Sequence, residues 1–83
     1  MKLEVTVPRF AEGATVIRLS RWLCQEGEKV DAGVQLAEAT TDKIAIYIEA
    51  PVSGYVHELL VAEGEEVKVG EVIALISTEH MGR

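Results

Sequence analysis

Thr40-Thr41-Asp42-Lys43-Ile44 lies almost at the midpoint of an 83-residue chain. It ends one β-like run, Gln35 to Thr40, and begins another, Ile44 to Glu49. Four polar residues between two apolar runs predict a tight hairpin turn with a lysine near its tip. The rest of the chain then reads as a rigid frame for that lysine.

Moving outward, Leu3, Val5 and Val7 alternate with Lys2, Glu4 and Thr6, which predicts a half-buried strand stopped by Pro8. Arg9 to Ala14 is a loop around Gly13. Thr15 to Cys24 is a second strand, with Ile17, Leu19 and Arg21 on one side and Val16, Arg18 and Ser20 on the other. Past the hairpin, Ile44, Ile46 and Ile48 share a face. Tyr55 to Val61 and Val72 to Ile76 complete the strands, with an acidic turn, Ala62 to Glu66, between them. No window carries a helical period, and short strands bounded by Gly, Pro or acidic turns predict an all-β sandwich or barrel.

The chain repeats itself. Shifted by 37 residues, Glu26-Gly27-Glu28 falls on Glu63-Gly64-Glu65, Val30 on Val67, Gly33 on Gly70 and Ala37 on Ala74. Shifted by 41, Leu3, Val5 and Val7 fall on Ile44, Ile46 and Ile48, and Gly13 on Gly54. Two copies of one unit, each exposing half a core, would pair about an approximate two-fold axis. Lys43 stands at their junction. Its counterpart after the second copy is near His80, so the two-fold puts the termini at the opposite end of the domain.

Fourteen acidic against eight basic residues give a net charge of −6, which argues against nucleic acid or an anionic membrane as partner. No stretch approaches the roughly 18 apolar residues of a membrane span, and the N-terminus lacks a signal-peptide pattern. The lone Cys24 allows no internal disulfide and points to a reducing compartment. Residues 1–79 read as one domain and 80–83 as the start of a linker.

Several of these residues, in this order, resemble the lipoyl (lipoyl/biotinyl) attachment domains: Phe10-Ala11-Glu12-Gly13, Trp22-Leu23 through Glu26-Gly27, Asp42-Lys43, Ala50-Pro51-Val52-Ser53-Gly54, and Glu63-Gly64. The likeness runs from about Leu3 to Ser77. It implies a flattened barrel, a barrel-sandwich hybrid of two four-stranded antiparallel sheets with an approximate internal two-fold. It implies lipoate joined by an amide to Lys43, with Asp42 and Ile44 as flanking recognition residues. It implies a carrier without an active site of its own, within the acyltransferase (E2) of a 2-oxo acid dehydrogenase complex. The partners implied are a lipoate ligase or lipoyl-transfer enzyme, a thiamine-diphosphate dehydrogenase (E1), the E2 catalytic domain and the flavoprotein dihydrolipoamide dehydrogenase (E3). The setting is cytoplasmic, or the mitochondrial matrix in a eukaryote. The loop Phe10, Ala11, Glu12, Gly13 and Ala14 is where partner enzymes of the family read the domain.

Biotin carriers resemble the chain less well, because they place Met on both sides of the lysine. A lipoyl-like module without modification is a third reading. Two departures stand out. Ile17 occupies a place where the family often has Gly, and its bulk disfavours a positive φ, which predicts a rearranged strand start. Tyr47 stands where Glu is frequent.

A lysine amine must be neutral to attack an activated acyl group, and Asp42 beside it favours the charged form. The ligase must therefore remove the proton, and the domain contributes position. Elsewhere, Trp22 reads as core with its ring N–H at the surface, and Cys24 as a buried small hydrophobe. His57 and His80 lack metal-ligand spacing, and Glu28, Asp31, Glu65 and Glu66 read as a solvated rim. No catalytic triad, phosphate loop or carboxylate pair stands out.

Overall fold

A computed structural model describes residues 2–9, 16–41 and 44–78. Among them are eight strands: β1 (Lys2–Thr6), β2 (Ile17–Trp22), β3 (Lys29–Val30), β4 (Gln35–Thr40), β5 (Ala45–Glu49), β6 (Gly54–Leu59), β7 (Glu66–Val67) and β8 (Val72–Ser77). They form two four-stranded antiparallel sheets, ordered β1-β8-β6-β3 and β5-β4-β2-β7. No described residue is helical. The expected barrel-sandwich is the observed fold.

Alternation builds the core. Ile17, Leu19, Leu36, Ile48, Val56, Ile73 and Ile76 face inward with 2% or less of their surface exposed. Each such side chain contributes roughly 1.5–3 kcal/mol by leaving water. Ala37, Ala39 and Ala74, equally buried, keep β4 and β8 thin where the two sheets meet.

The internal two-fold is written in the hydrogen bonds. Gly27 N–H donates to Val56 O at 2.7 Å, and Gly64 N–H to Leu19 O at 2.7 Å. Leu23 N–H donates to Leu36 O, and Leu60 N–H to Ile73 O, both at 2.8 Å. The Glu26 carboxylate accepts from Leu59 N–H at 2.9 Å, and the Glu63 carboxylate from Trp22 N–H at 2.8 Å. Each Glu-Gly turn thus clamps a strand of the other half. Gly27 and Gly64 take φ of 89° and 90°, a left-handed conformation that glycine adopts without penalty.

Register corrects the second repeat. Leu3 faces Ile76 and Val5 faces Ala74, while Ile46 faces Ala39 and Ile48 faces Ala37. The counterparts of Leu3, Val5 and Val7 are therefore Ile46, Ile48 and Ala50, an offset of 43 and not 41. A two-residue slip leaves every side chain on its own face, so alternation cannot detect it. Ile44 then falls outside the core and is 44% exposed.

Two further expectations fail. A bulge between Leu19 and Arg21 turns Arg21 outward, where its Nε donates to Glu38 Oε1 at 3.1 Å. The start of β2 is also not rearranged. Ile17 is buried, pairs with Val67, and no described residue other than glycine has positive φ. Its counterpart Gly54 has no positive φ either; it is needed for close approach, because a Cβ there would meet the backbone oxygen of Ser77.

Candidate functional site

The β4–β5 hairpin is closed by Thr41 and Ile44. Thr41 N–H donates to Ile44 O at 2.8 Å, and Ile44 N–H donates to Thr41 Oγ1 at 3.1 Å. These bonds bracket Asp42 and Lys43 as the two residues between them. Asp42 and Lys43 themselves lie outside the described residues, as do Phe10, Ala11, Glu12, Gly13 and Ala14 of the expected recognition loop. The described flanks of that loop, Arg9 and Val16, are both exposed.

Ladder register locates the hairpin in the domain. The segment before β4 is held by Gly33 N–H donating to Ala50 O at 2.9 Å and by Ala32 N–H donating to Ser53 Oγ at 3.0 Å. Val30 pairs with Gly54, Tyr55 with Ser77, and Ser77 with Lys2. The start of β4 therefore shares one end of the domain with the start of β1 and the finish of β8. Five residues later β4 reaches Thr40, opposite Arg18, while Ile17 pairs with Val67. Val7 and Glu71 bond at this second end, Val7 N–H donating to Glu71 O at 3.0 Å. A six-residue strand separates the two ends by roughly 20 Å. The hairpin is at one and the outgoing chain at the other, as the two-fold requires.

The flanks of the loop come to the hairpin end too. Arg9 follows β1 there, and Val16 precedes Ile17. The offset between the halves drops from 43 to 37 across residues 8–16, so this loop carries six residues more than its counterpart after Ala50. A depression of about 240 Å³ beside the hairpin is lined by Val16, Arg18, Thr40 and Thr41. Sequence reasoning singled out Thr40 and Thr41 as part of the hairpin but not Val16 and Arg18. Placing β2 opposite β4 would have found them, since Arg18 and Thr40 are ladder partners.

Local stiffness comes from β2, which pairs with β4 on one side and β7 on the other. Ser20 Oγ also donates to Thr40 Oγ1 at 2.9 Å, joining the bulge to the last residue before the turn. β5 is an edge strand, so the hairpin has one supported arm and one open one.

The other candidates are structural. Trp22 is half-buried, and its Nε1–H donates to Val61 O at 2.8 Å, so the ring nitrogen is spent inside the fold and not on solvent. Cys24 is buried, and burial, helped by the Glu28 carboxylate, pushes its thiol up to about 11. A thiol so shifted is a poor nucleophile at neutral pH. Glu28 and Glu65 are exposed but not idle: they accept from Gln25 N–H at 2.9 Å and Ala62 N–H at 3.3 Å, each bracing its own turn. His57 is exposed, His80 lies outside the described residues, and no cluster among the described residues could hold a metal.

Comparison with known proteins agrees with this fold. The biotin/lipoyl family model, described as "Biotin-requiring enzyme", matches residues 3–76. The dihydrolipoyllysine-residue succinyltransferase component of the 2-oxoglutarate dehydrogenase complex of Staphylococcus saprophyticus is 40% identical over 73 residues, which is 88% of this chain and 17% of that protein. The lipoamide acyltransferase component of the branched-chain alpha-keto acid dehydrogenase complex of Bacillus subtilis is 36% identical over 76 residues, 92% of this chain and 18% of that one. The chain thus spans about a sixth of the length of these curated relatives. Among solved structures, the lipoyl domain of the 2-oxoglutarate dehydrogenase complex from Azotobacter vinelandii superposes with a TM-score of 0.72 at 24% identity, covering 89% of this chain and 94% of that one. The urea carboxylase of Kluyveromyces lactis gives 0.78 at 21%, covering 93% of this chain and 6% of that one. At these identities the structures speak for the fold alone. The family match runs from the first edge strand to the last central one, and on that coverage the chain belongs to the biotin/lipoyl family.

Proposed function

We propose that residues 1–79 are a lipoyl carrier domain of an E2 acyltransferase, with lipoate joined by an amide to Nζ of Lys43. The observation that carries this reading is the closed Thr41–Ile44 hairpin at the end of the domain remote from the outgoing chain. The relatives of known name are acyltransferase components of 2-oxo acid dehydrogenase complexes, both bacterial and mitochondrial.

The fit is mechanical. A ligase pocket must surround an amine without meeting the fold behind it, and the exposed Ile44 beside the turn is consistent with such access. Asp42 and Ile44 flank the amine and give the ligase side chains to read. Attached lipoate supplies a dithiolane that can take up and release an acyl group. The chain's own part is to hold the arm's root on β4 and to offer the loop Phe10–Ala14 to E1, the E2 catalytic domain and E3. Catalysis then belongs to those partners, in the cytoplasm or the mitochondrial matrix.

The competing reading, a biotin carrier, has the family model's description, "Biotin-requiring enzyme", in its favour and the Asp42 and Ile44 neighbours against it. Intact mass separates the two. The chain is incubated with lipoate ligase, lipoate and ATP, and in parallel with biotin ligase, biotin and ATP. One lipoyl adduct, absent from Lys43→Arg, is the expected result. An adduct with biotin alone transfers the domain to the carboxylases, and no adduct with either refutes both.

A further inference from the structure

The depression lined by Val16, Arg18, Thr40 and Thr41 has no part in the carrier reading as stated. Arg18 Nη1 donates to the carbonyl of Gly64 at 3.0 Å. That bond fixes one edge of the guanidinium, which has five N–H donors in all. The neighbouring Arg21 is matched by Glu38. Arg18 is a ladder partner of Glu66, yet no ion pair joins them among the described residues. Among the described residues, then, no carboxylate pairs with Arg18, whose guanidinium lines a small concavity in a chain of net charge −6.

We propose that this depression is a resting site for the distal end of the loaded arm, and that Arg18 makes it selective for acyl groups that end in a carboxylate. Such a group is what remains when a dicarboxylic 2-oxo acid loses carbon dioxide. The inference rests on the carrier reading and names the acyl class that reading leaves open.

Chain geometry permits the contact. Thr40 and Arg18 are cross-strand partners, about 5 Å apart at Cα, and Lys43 follows Thr40 by three steps of at most ~3.8 Å. The arm's root is therefore within roughly 17 Å of Arg18. An extended lysine plus lipoate, about a dozen bonds, spans roughly 15 Å, and the acyl group and the Arg18 side chain add to that reach. Val16, 47% exposed, offers apolar surface to the methylenes. The guanidinium supplies a planar fork for a carboxylate. An exposed ion pair is weak by itself, but tethering sets an effective concentration on the order of millimolar, enough to populate a weak contact. A neutral acyl group would find only the apolar wall.

The test uses a stable stand-in for each acyl type. The lipoylated chain is reduced, and its two arm thiols are capped with iodoacetate, which leaves carboxylates, or with iodoacetamide, which leaves neutral amides. Cys24 is spared at neutral pH by its burial. The readout is the NMR shift of Val16, Thr40 and Thr41 amides and of the Arg18 Nε–H. Expected are shifts with the carboxylate cap and not the amide cap, weakened by added salt, abolished in Arg18→Gln and kept in Arg18→Lys. Identical spectra for the two caps overturn the proposal, as does a carboxylate-dependent shift that survives Arg18→Gln. Intact mass confirms the capped arm first. Absence of any lipoyl adduct removes this inference together with the carrier reading, whereas a capped arm with unmoved resonances removes this inference alone.

Discussion

Substituting Gly54 by Ala puts the sharpest load on the fold. Gly54 opens β6 and pairs with Val30. A Cβ at this position meets the backbone oxygen of Ser77 and stands 2.9 Å from Ile76 Cγ2. The methyl of Ile76 could turn, but the Ser77 carbonyl is part of β8, between β1 and β6, and cannot rotate away. The strands must spread at the Tyr55–Ser77 pair. Overpacking costs about 1–3 kcal/mol, and one strained ladder bond adds about 1 kcal/mol. Gly27 provides the control. Its φ is 89° with nothing within 4 Å of a built Cβ, so Ala there pays for left-handed backbone alone, about 1–2 kcal/mol. On a domain of this size, 1 kcal/mol moves Tm by about 4–8 °C. Gly54→Ala should therefore lower Tm by ~10 °C or more, and Gly27→Ala by clearly less. Urea unfolding should give the same order with an unchanged m-value. A Gly54→Ala protein more stable than Gly27→Ala would refute the close-approach argument. The repeat partner sharpens it. Ile17 holds the position equivalent to Gly54 but is buried at 2%, so Ile17→Ala should cost about 2–5 kcal/mol. Equivalent positions in the two halves then reject opposite changes.

Glu26→Ala and Glu63→Ala each remove a carboxylate that accepts a backbone N–H from the other half, and each should cost about 1 kcal/mol, by equal amounts within error, in urea unfolding. Cys24 gives a pH prediction. Its thiol is raised from 9.0 to about 11 in the fold, so above pH 9 the unfolded chain releases a proton that the native chain keeps. Stability is then fully present below pH 9 and falls as pH rises toward 11, by roughly 2 kcal/mol in all. Cys24→Ser, or Cys24→Ala, should flatten that slope in urea titrations between pH 8.5 and 10.5, on the order of a 1 kcal/mol difference.

How far the sequence carries the reader differs by level. Strand positions and the hairpin were legible because Leu36, Ala37 and Ala39, or Tyr55 and Val56, lie between Gly and acidic turns that end every run. The two-fold was legible in Glu26-Gly27-Glu28 and Glu63-Gly64-Glu65, since such turns impose a positive φ on their glycines. The register of β1 against β5 was not, because a slip of two residues preserves the face and only the hydrogen-bond ladder distinguishes 41 from 43. Nor was the bulge at Ser20 legible: nothing in Leu19-Ser20-Arg21 marks a lost alternation, and only the ladder shows it, with the same irregularity at the equivalent place between Val56 and Glu58. Lys43 was singled out from its place at the seam, and it lies outside the described residues. The depression around Arg18 was invisible, because it is made by residues 22 or more apart that meet through β2–β4 pairing.

The separation of the Thr41–Ile44 hairpin from the end of β8 follows from duplication. Each half ends in a strand, β4 or β8, that runs the full length of the domain, and the two-fold points these strands in opposite directions. Where β4 finishes, the chain turns straight into the second half, and the turn is sealed by Thr41 and Ile44. Where β8 finishes, beside the start of β1, the equivalent seam is left to the outgoing chain. Among the described residues, a closed loop therefore exists at the seam roughly 20 Å from the end of β8. An amine placed in that loop can enter an enzyme pocket without meeting the chain that leaves β8. The same lysine moved to the other seam would share its space with the chain that leaves β8, and no change of flanking side chains could restore that clearance.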